Sequence, residues 1–433
     1  MNNLSVTLLP AKTQGAIRNI LGMCNSPVIT TVPRMEMEKE LFRKLKPARV
    51  RHHDAVIENP GYDIVDVTRI FPLFNADEND PANYNFAPTD FYFQQAVDCG
   101  VPIELKFGER IEHSGRKFKV NPPSDPKKWA RICLNILRHY NDGWADGMHL
   151  GIEYVSIWEE PDNDPALFAG PFEKYLELYR ETATLIRREY PAIRICGPNT
   201  MGTWSGKFEQ FVKFCAENKL PLDAAEFTAY SREPGTFVKI AKEASKILKQ
   251  NGFCKAELFI SEWHYWPKVF IGNYTGEMEH TENAAFSLSA LIRMLNSGVI
   301  DMAYYYAWAV GRSFSLLPPA FDPLRAYYAF CYFTELTGMQ RIEIEANLPE
   351  DIDLLACIAE DGSVRLLVSC FKAPRSKFDL KVPGCTHCKI KRITDANEDY
   401  EAESELAYNA DSQSFLLDAD DGGSAVFALT FTK

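Results

Sequence analysis

The sequence predicts an α/β fold, a (β/α)8 TIM barrel, with an appended C-terminal β-sandwich. Three observations carry this reading. Strand, loop and helix patterns alternate eight times between Gly15 and Gly338, the rhythm of a barrel with insertions. No Gly-x-Gly-x-x-Gly follows an early strand, which weakens a doubly wound open sheet. After Gln340 the texture changes to short β-type runs separated by turn residues. A chain of 433 residues also exceeds the size at which one core keeps growing. Residues 15–338 are assigned to the barrel, and residues 1–14 with 339–433 to the accessory sandwich.

The strand runs fall at residues 16–21, 48–51, 102–107, 154–158, 193–196, 225–230, 258–260 and 302–307. Helices are predicted at residues 35–45, 89–98, 126–140, 171–190, 207–217, 236–250, 281–296 and 324–336. Pro126 suits a first helical turn, where its missing N–H costs nothing. Phe172, Tyr175, Leu176, Tyr179, Ala183 and Ile186 recur at the spacing of one buried helix face. Gly298 ends the helix before it. Beyond the barrel, strands are predicted at 341–345, 354–359, 363–371, 378–382, 389–394, 414–417 and 425–432, with Asp361-Gly362 as a hairpin turn. The run at residues 4–9 has no barrel neighbour and is expected to join the second region.

The composition is that of a globular protein, 46% apolar and 24% charged, with a net charge of −12. The charge and the lack of a long Lys/Arg run argue against nucleic acid or an anionic membrane as partner. No apolar run approaches the roughly 18 residues of a membrane span. The first residues lack a basic segment followed by an apolar one, so no signal peptide is read there. Eleven cysteines, an odd number, lie mostly within predicted elements. Free thiols and a cytoplasmic location are expected. Cys385-Thr-His-Cys388 has no second pair at zinc spacing, and no metal or cofactor is expected.

In a barrel, side chains at the C-terminal ends of the strands converge on one mouth. Here those ends supply Asn25, Arg51 to Asp54, Lys106 to Glu109, Glu159, Glu160, Asn199, Tyr230, Glu262 to Trp266, and Tyr306 to Trp308. This is an acid-bearing bowl with many rings. Glu160 ends the fourth strand and Glu262 the seventh. Two carboxylates across such a bowl suit glycosidic cleavage, one protonating the leaving oxygen and the other attacking the anomeric carbon or activating water. His52 and His53 are consecutive and face opposite ways, so one is expected in the pocket and one in packing; His53 is taken as the pocket residue. Trp263, His264, Trp266 and Trp308 are read as a sugar-stacking rim, with core packing as the alternative. Asp77, Glu78 and Asp80 read as a solvated turn rather than a calcium site.

These motifs resemble those of the retaining glycoside hydrolases of clan A, and specifically glycoside hydrolase family 39, known for β-xylosidases and α-L-iduronidases. The resemblance rests on Arg51-His52-His53-Asp54, on Trp158-Glu159-Glu160-Pro161-Asp162, on the segments 175–179 and 193–198, and on Phe259-Ile260-Ser261-Glu262-Trp263. It implies a barrel with a β-sandwich, Glu160 as general acid/base, Glu262 as nucleophile, and a carbohydrate substrate. His53, Asp54, Lys106, Glu159, Tyr230, Trp263, His264, Trp266 and Trp308 are the expected substrate-binding residues. Two positions depart from the family pattern. Glu159 stands where the family has Asn, which there binds the sugar 2-hydroxyl, and Thr228 stands where a His often precedes Ala-Tyr. A carboxylate accepts from a hydroxyl but cannot donate an amide proton, so a different substrate choice is expected. A carbohydrate-binding barrel without turnover, or a transglycosylase, would use the same residues. The charge of Glu159 is also expected to raise the proton affinity of Glu160.

Overall fold

Eight parallel strands close on themselves in sequence order. They are β1 (Leu21–Cys24), β2 (Arg49–Arg51), β3 (Ile103–Phe107), β4 (Tyr154–Ile157), β5 (Arg194–Met201), β6 (Ala224–Ser231), β7 (Glu257–Tyr265) and β8 (Met302–Tyr305). The last pairs with the first, Ala303 opposite Leu21, so the barrel has no edge. The computed structural model describes residues 2–28, 32–57, 62–266, 278–309, 314–317, 322–419 and 423–433.

Local chemistry sets the helix ends. Asp125 caps the helix Pro126–Asp142 by accepting from the backbone N–H groups of Lys127 and Lys128. Gly298 closes the helix Thr281–Ser297 in a left-handed conformation at φ 66°. Two strands differ from their predicted limits. β7 continues beyond residue 260 because Ser261, Glu262 and His264 are buried in the barrel mouth, where strand pairing with β6 goes on. The sequence predicts the first run at residues 16–21, whereas Ala16 ends the N-terminal strand and β1 starts at Leu21.

The second sheet contains all seven strands predicted after residue 340 and the N-terminal strand Asn2–Ala16. Asn2–Ala16 pairs antiparallel with Gln340–Ala346 and parallel with Ser376–Lys381. Two short strands, Ser404–Glu405 and Tyr408–Asn409, end the hydrogen-bonded order. Strands Ser414–Ala419 and Ala425–Thr432 are far apart in that order, yet Phe415 and Phe431 meet with ring centroids 5.3 Å apart. The ten strands therefore curl so that one apolar face covers itself, with Val6, Leu366, Phe378 and Phe427 in the core.

Helix Thr281–Ser297 joins the two parts. Ser369 donates to the Ala285 carbonyl at 2.8 Å, and Arg293 Nε reaches both oxygens of Asp353 at 3.0 and 2.9 Å. All eleven cysteines are free thiols, with Cys254 exposed. Among the described residues no helix is long and apolar enough to cross a membrane.

Candidate active site

The C-terminal ends of the barrel strands bend sharply. Asp54, Trp158, Glu160 and Asn199 adopt positive φ angles of 53°, 72°, 37° and 62°. Side chains with a Cβ rarely do so, and such strain is retained where surrounding bonds fix it. Glu160 N donates to the Asn199 carbonyl at 3.0 Å, and Asn199 Nδ2 donates to the Trp158 carbonyl at 3.3 Å.

Glu160 is buried, with both oxygens engaged. Thr228 Oγ1 donates to Oε1 at 2.6 Å, and Asn163 Nδ2 donates to Oε2 at 2.8 Å. Thr228 lies directly opposite Glu262 in the β6–β7 pairing. One residue therefore supports the first acid and neighbours the second. Glu262 Oε1 accepts from the Tyr230 hydroxyl, and its Oε2 lies 3.7 Å from His53 Nε2. Burial first, and the charge of Glu159 second, raise the Glu160 carboxyl to about 7. Burial, Glu159 and Glu160, in that order, also push Glu262 well above the usual carboxylate range, against the pull of Tyr230.

The wall below this pair is charged. Arg51 is fully buried, 2.6 Å from Glu159 Oε2 and 3.3 Å from Glu104 Oε1, and it donates to Ser156 Oγ at 3.3 Å. Ser156 donates in turn to Glu226 at 2.6 Å. Burial and the nearby Glu104 raise Glu226 well above its ordinary value, against the pull of Arg51. Tyr304 donates to Glu104 from the far side. Glu159 thus points into the barrel with Arg51 as its cationic partner, while Glu160 lines the mouth.

His53 stands between Glu159 and Glu262, with Nδ1 3.8 Å from Glu159 Oε2. Lys106 Nζ lies 3.3 Å from His53 Nδ1 and donates to the Glu109 carbonyl at 3.2 Å. Burial lowers His53 well below its ordinary value, leaving it neutral. With Lys106 donating to Nδ1, the ring proton sits on Nε2 and faces Asp54 Oδ1 at 3.4 Å and Glu262. Asp54 also accepts from Tyr306 at 3.1 Å and from the Ile111 N–H at 3.1 Å. His52 turns away, bonded to Ser26 at 2.9 Å and stacked on Phe93 at 4.7 Å. The two histidines divide as strand alternation requires.

The aromatic residues separate. Trp266 is 43% exposed and meets Tyr230 edge to face at 5.5 Å, at the rim. Trp263 is fully buried against Phe237, Tyr305 and Phe330. With Glu262 facing inward, the next residue on β7 must face the helices. Trp308 is fully buried against Phe42 and Tyr327. The rim expectation is thus corrected to core packing for Trp263 and Trp308. His264 sits one layer behind the carboxylates, bonded to the Tyr305 hydroxyl at 2.6 Å and packed on Phe314. At the acidic turn, Asp77 and Asp80 accept from backbone N–H groups, and Glu78 pairs with Arg131 and Lys128.

Several contributors were not singled out from sequence. Glu104 and Glu226 sit within strands, and their only signal is a charged residue where an apolar one is usual. Asn163, three residues past Glu160, carried none. His53, Glu159 and Glu262 bring donor atoms within 4.8 Å of one another, as do Glu104, Cys196 and Glu226. Arg51 already pairs with an acid in each group, and its charge opposes a metal ion in either.

A closed barrel with two buried glutamates at its mouth is the arrangement a glycosidase requires. Residues 6–263 match the model of glycosyl hydrolases family 39. The chain belongs to that family. It is 22% identical over 358 residues to a β-xylosidase of Caldicellulosiruptor saccharolyticus, covering 73% of this chain and 71% of that protein. With a β-xylosidase of Geobacillus stearothermophilus it shares 21% over 328 residues, 65% of this chain and 60% of the relative. Among solved structures, a glucosidase from Croceicoccus marinus superposes with a TM-score of 0.81 at 20% identity, covering 100% of this chain and 99% of that one. A monomeric β-xylosidase from Caulobacter crescentus gives 0.74 at 14% identity, with 100% and 99% coverage. At these identities the two structures show the shared fold.

Proposed function

We propose that this protein hydrolyses a small saccharide or oligosaccharide with retention of configuration, by double displacement. The barrel at residues 15–338 is the catalytic unit and the curled sheet is accessory. Glu160 protonates the leaving oxygen while Glu262 attacks the anomeric carbon, giving a covalent glycosyl-enzyme. Glu160, now a carboxylate, then takes a proton from the water that releases the sugar. Thr228 carries this reading, since it donates to Glu160 and neighbours Glu262, setting two buried carboxylates on either side of one residue. A carboxyl raised to about 7 can act as acid and then as base near neutrality. Retention requires the two carboxyl groups about 5–5.5 Å apart. His53, Asp54, Lys106, Glu159, Tyr230 and Trp266 hold the sugar, and His264 backs the pocket. The two β-xylosidase relatives support a β-linked substrate, and the free cysteines support a reducing compartment.

The test is the anomer first released from an aryl β-glycoside, followed by proton NMR, with Glu262→Ala as control. Retention, and loss of turnover in the variant by about a thousandfold or more, is expected. First release of the inverted anomer overturns double displacement. Sugar binding without turnover across a panel of aryl glycosides overturns the enzyme reading in favour of a carbohydrate-binding barrel.

A further inference from the structure

We infer that Glu159 fits this pocket to a glycoside bearing a protonated amine at C2, a 2-amino-2-deoxy sugar. The inference rests on the proposed roles of Glu160 and Glu262. The two oxygens of Glu262 face different surroundings: Oε1 takes the Tyr230 hydroxyl, and Oε2 looks toward His53 and, beyond it, Glu159. An anomeric carbon held over Glu262 has two ring neighbours, the ring oxygen and C2. The ring oxygen carries no hydrogen, and between two carboxylates its lone pairs would be repelled. The flank formed by Glu159 and Glu262 therefore receives C2 and its substituent.

Donor counting then selects the substituent. Atoms of His53, Glu159 and Glu262 lie within 4.8 Å of one another, so one group at C2 can reach both carboxylates beside the His53 ring. Glu159 is fully buried, and its Oε1 has no hydrogen-bond partner; its Oε2 is paired with Arg51 at 2.6 Å. A 2-hydroxyl has one proton to offer Glu159 Oε1 and Glu262 Oε2 and leaves one of these two oxygens without a donor in a dry site. An ammonium group has three protons. An amide side chain at position 159 would instead donate to a hydroxyl, so the carboxylate changes the donor direction as well as the charge.

The charge balance points the same way. Arg51 is divided between Glu159 and Glu104. Lys106 faces Asp66, Glu159 and Asp54, and donates to the Glu109 carbonyl. Among the described residues no Lys or Arg nitrogen lies within 4.0 Å of Glu262, and the ring that faces it at 3.7 Å, His53, is neutral. Burial beside two further acids without a cation is the condition that drives Glu262 upward, and a bound ammonium relieves it.

The experiment compares kcat/KM for 4-nitrophenyl β-glycosides carrying a 2-amino, 2-hydroxy or 2-acetamido group, in both gluco and xylo configurations. The expected result is at least a tenfold preference for the 2-amino sugar within the configuration that is hydrolysed. Glu159→Asn should reverse it toward the 2-hydroxy sugar. As a measurement on the unaltered protein, the matching free 2-amino sugar should inhibit at least tenfold more strongly than its 2-hydroxy counterpart. Retaining cleavage of 2-hydroxy glycosides, with equal or weaker action on 2-amino ones and no inhibition difference, overturns this inference and leaves the glycosidase reading intact. A preference unchanged by Glu159→Asn also overturns it. No cleavage of any glycoside in the panel overturns both.

Discussion

Replacing Glu159 with Gln removes one negative charge and keeps the side-chain shape. In the parent protein Glu160 stands at about 7 against an ordinary 4.5. That difference is worth about 3.4 kcal/mol, at 1.36 kcal/mol per pH unit. Burial is its largest cause and Glu159 its second. Assigning the neighbour somewhat under half gives a drop of about one pH unit. Freeing part of the Arg51 charge acts in the same direction, since a nearby cation favours the ionised carboxyl. The assay is kcat/KM against pH with an aryl glycoside of poor leaving group, whose cleavage needs the acid form. The alkaline limb, expected near 7, should move to about 6 in Glu159→Gln. At pH 7 the protonated fraction then falls from about one half to about one tenth, while at pH 5 it barely changes. The position of the limb is the readout, because its height also reflects lost sugar contacts. A limb that stays in place while the rate falls would refute the electrostatic coupling.

Three further outcomes follow from the same site. A carboxyl raised on folding is bound to its proton more tightly in the native state, so stability is full below about pH 4.5 and declines as pH rises through about 7. Glu160→Gln should therefore raise Tm at pH 8, by up to about 3 kcal/mol in stability, and do nothing at pH 4, by scanning calorimetry. Trp263→Ala should cost about 3–5 kcal/mol in urea unfolding, whereas Trp266→Ala should leave stability unchanged and raise KM; the opposite pattern would reverse their assignment to core and rim. Arg51→Ala leaves Glu159 and Glu104 buried without their cation and should cost about 3–5 kcal/mol, a loss that a surface ion pair would not show.

The barrel was legible because its strands are apolar runs at regular intervals and its helices have clean faces and caps. The acids at the ends of β4 and β7 stood out for the same reason, as charges that follow β-type residues. Legibility failed where polar residues enter the barrel interior. β7 was cut short at residue 260, since Ser261, Glu262 and His264 break the apolar pattern although they lie in the strand. Glu104 and Glu226 carry little sequence signal because their partners, Arg51 and Ser156 respectively, lie far away in sequence and next to them in space. Ring counting misled at Trp263 and Trp308, because residue type does not reveal which side of a strand faces the helices. Glu159 shows the converse. Its chemical difference was visible in the sequence, but its partnership with Arg51 needed the third dimension.

The strand Asn2–Ala16 has a consequence for how the chain comes together. Ala16 lies opposite Gln340, and Ile17 N–H bonds to the Met339 carbonyl, so the chain enters and leaves the barrel at one point. The whole barrel is in effect a loop inserted between two neighbouring strands of another sheet. During synthesis the first strand waits without either partner until residues beyond 340 and then 376 have emerged, while the barrel behind it can already close. The curled sheet is then a clasp across the base of that loop, holding both ends of the barrel at one place.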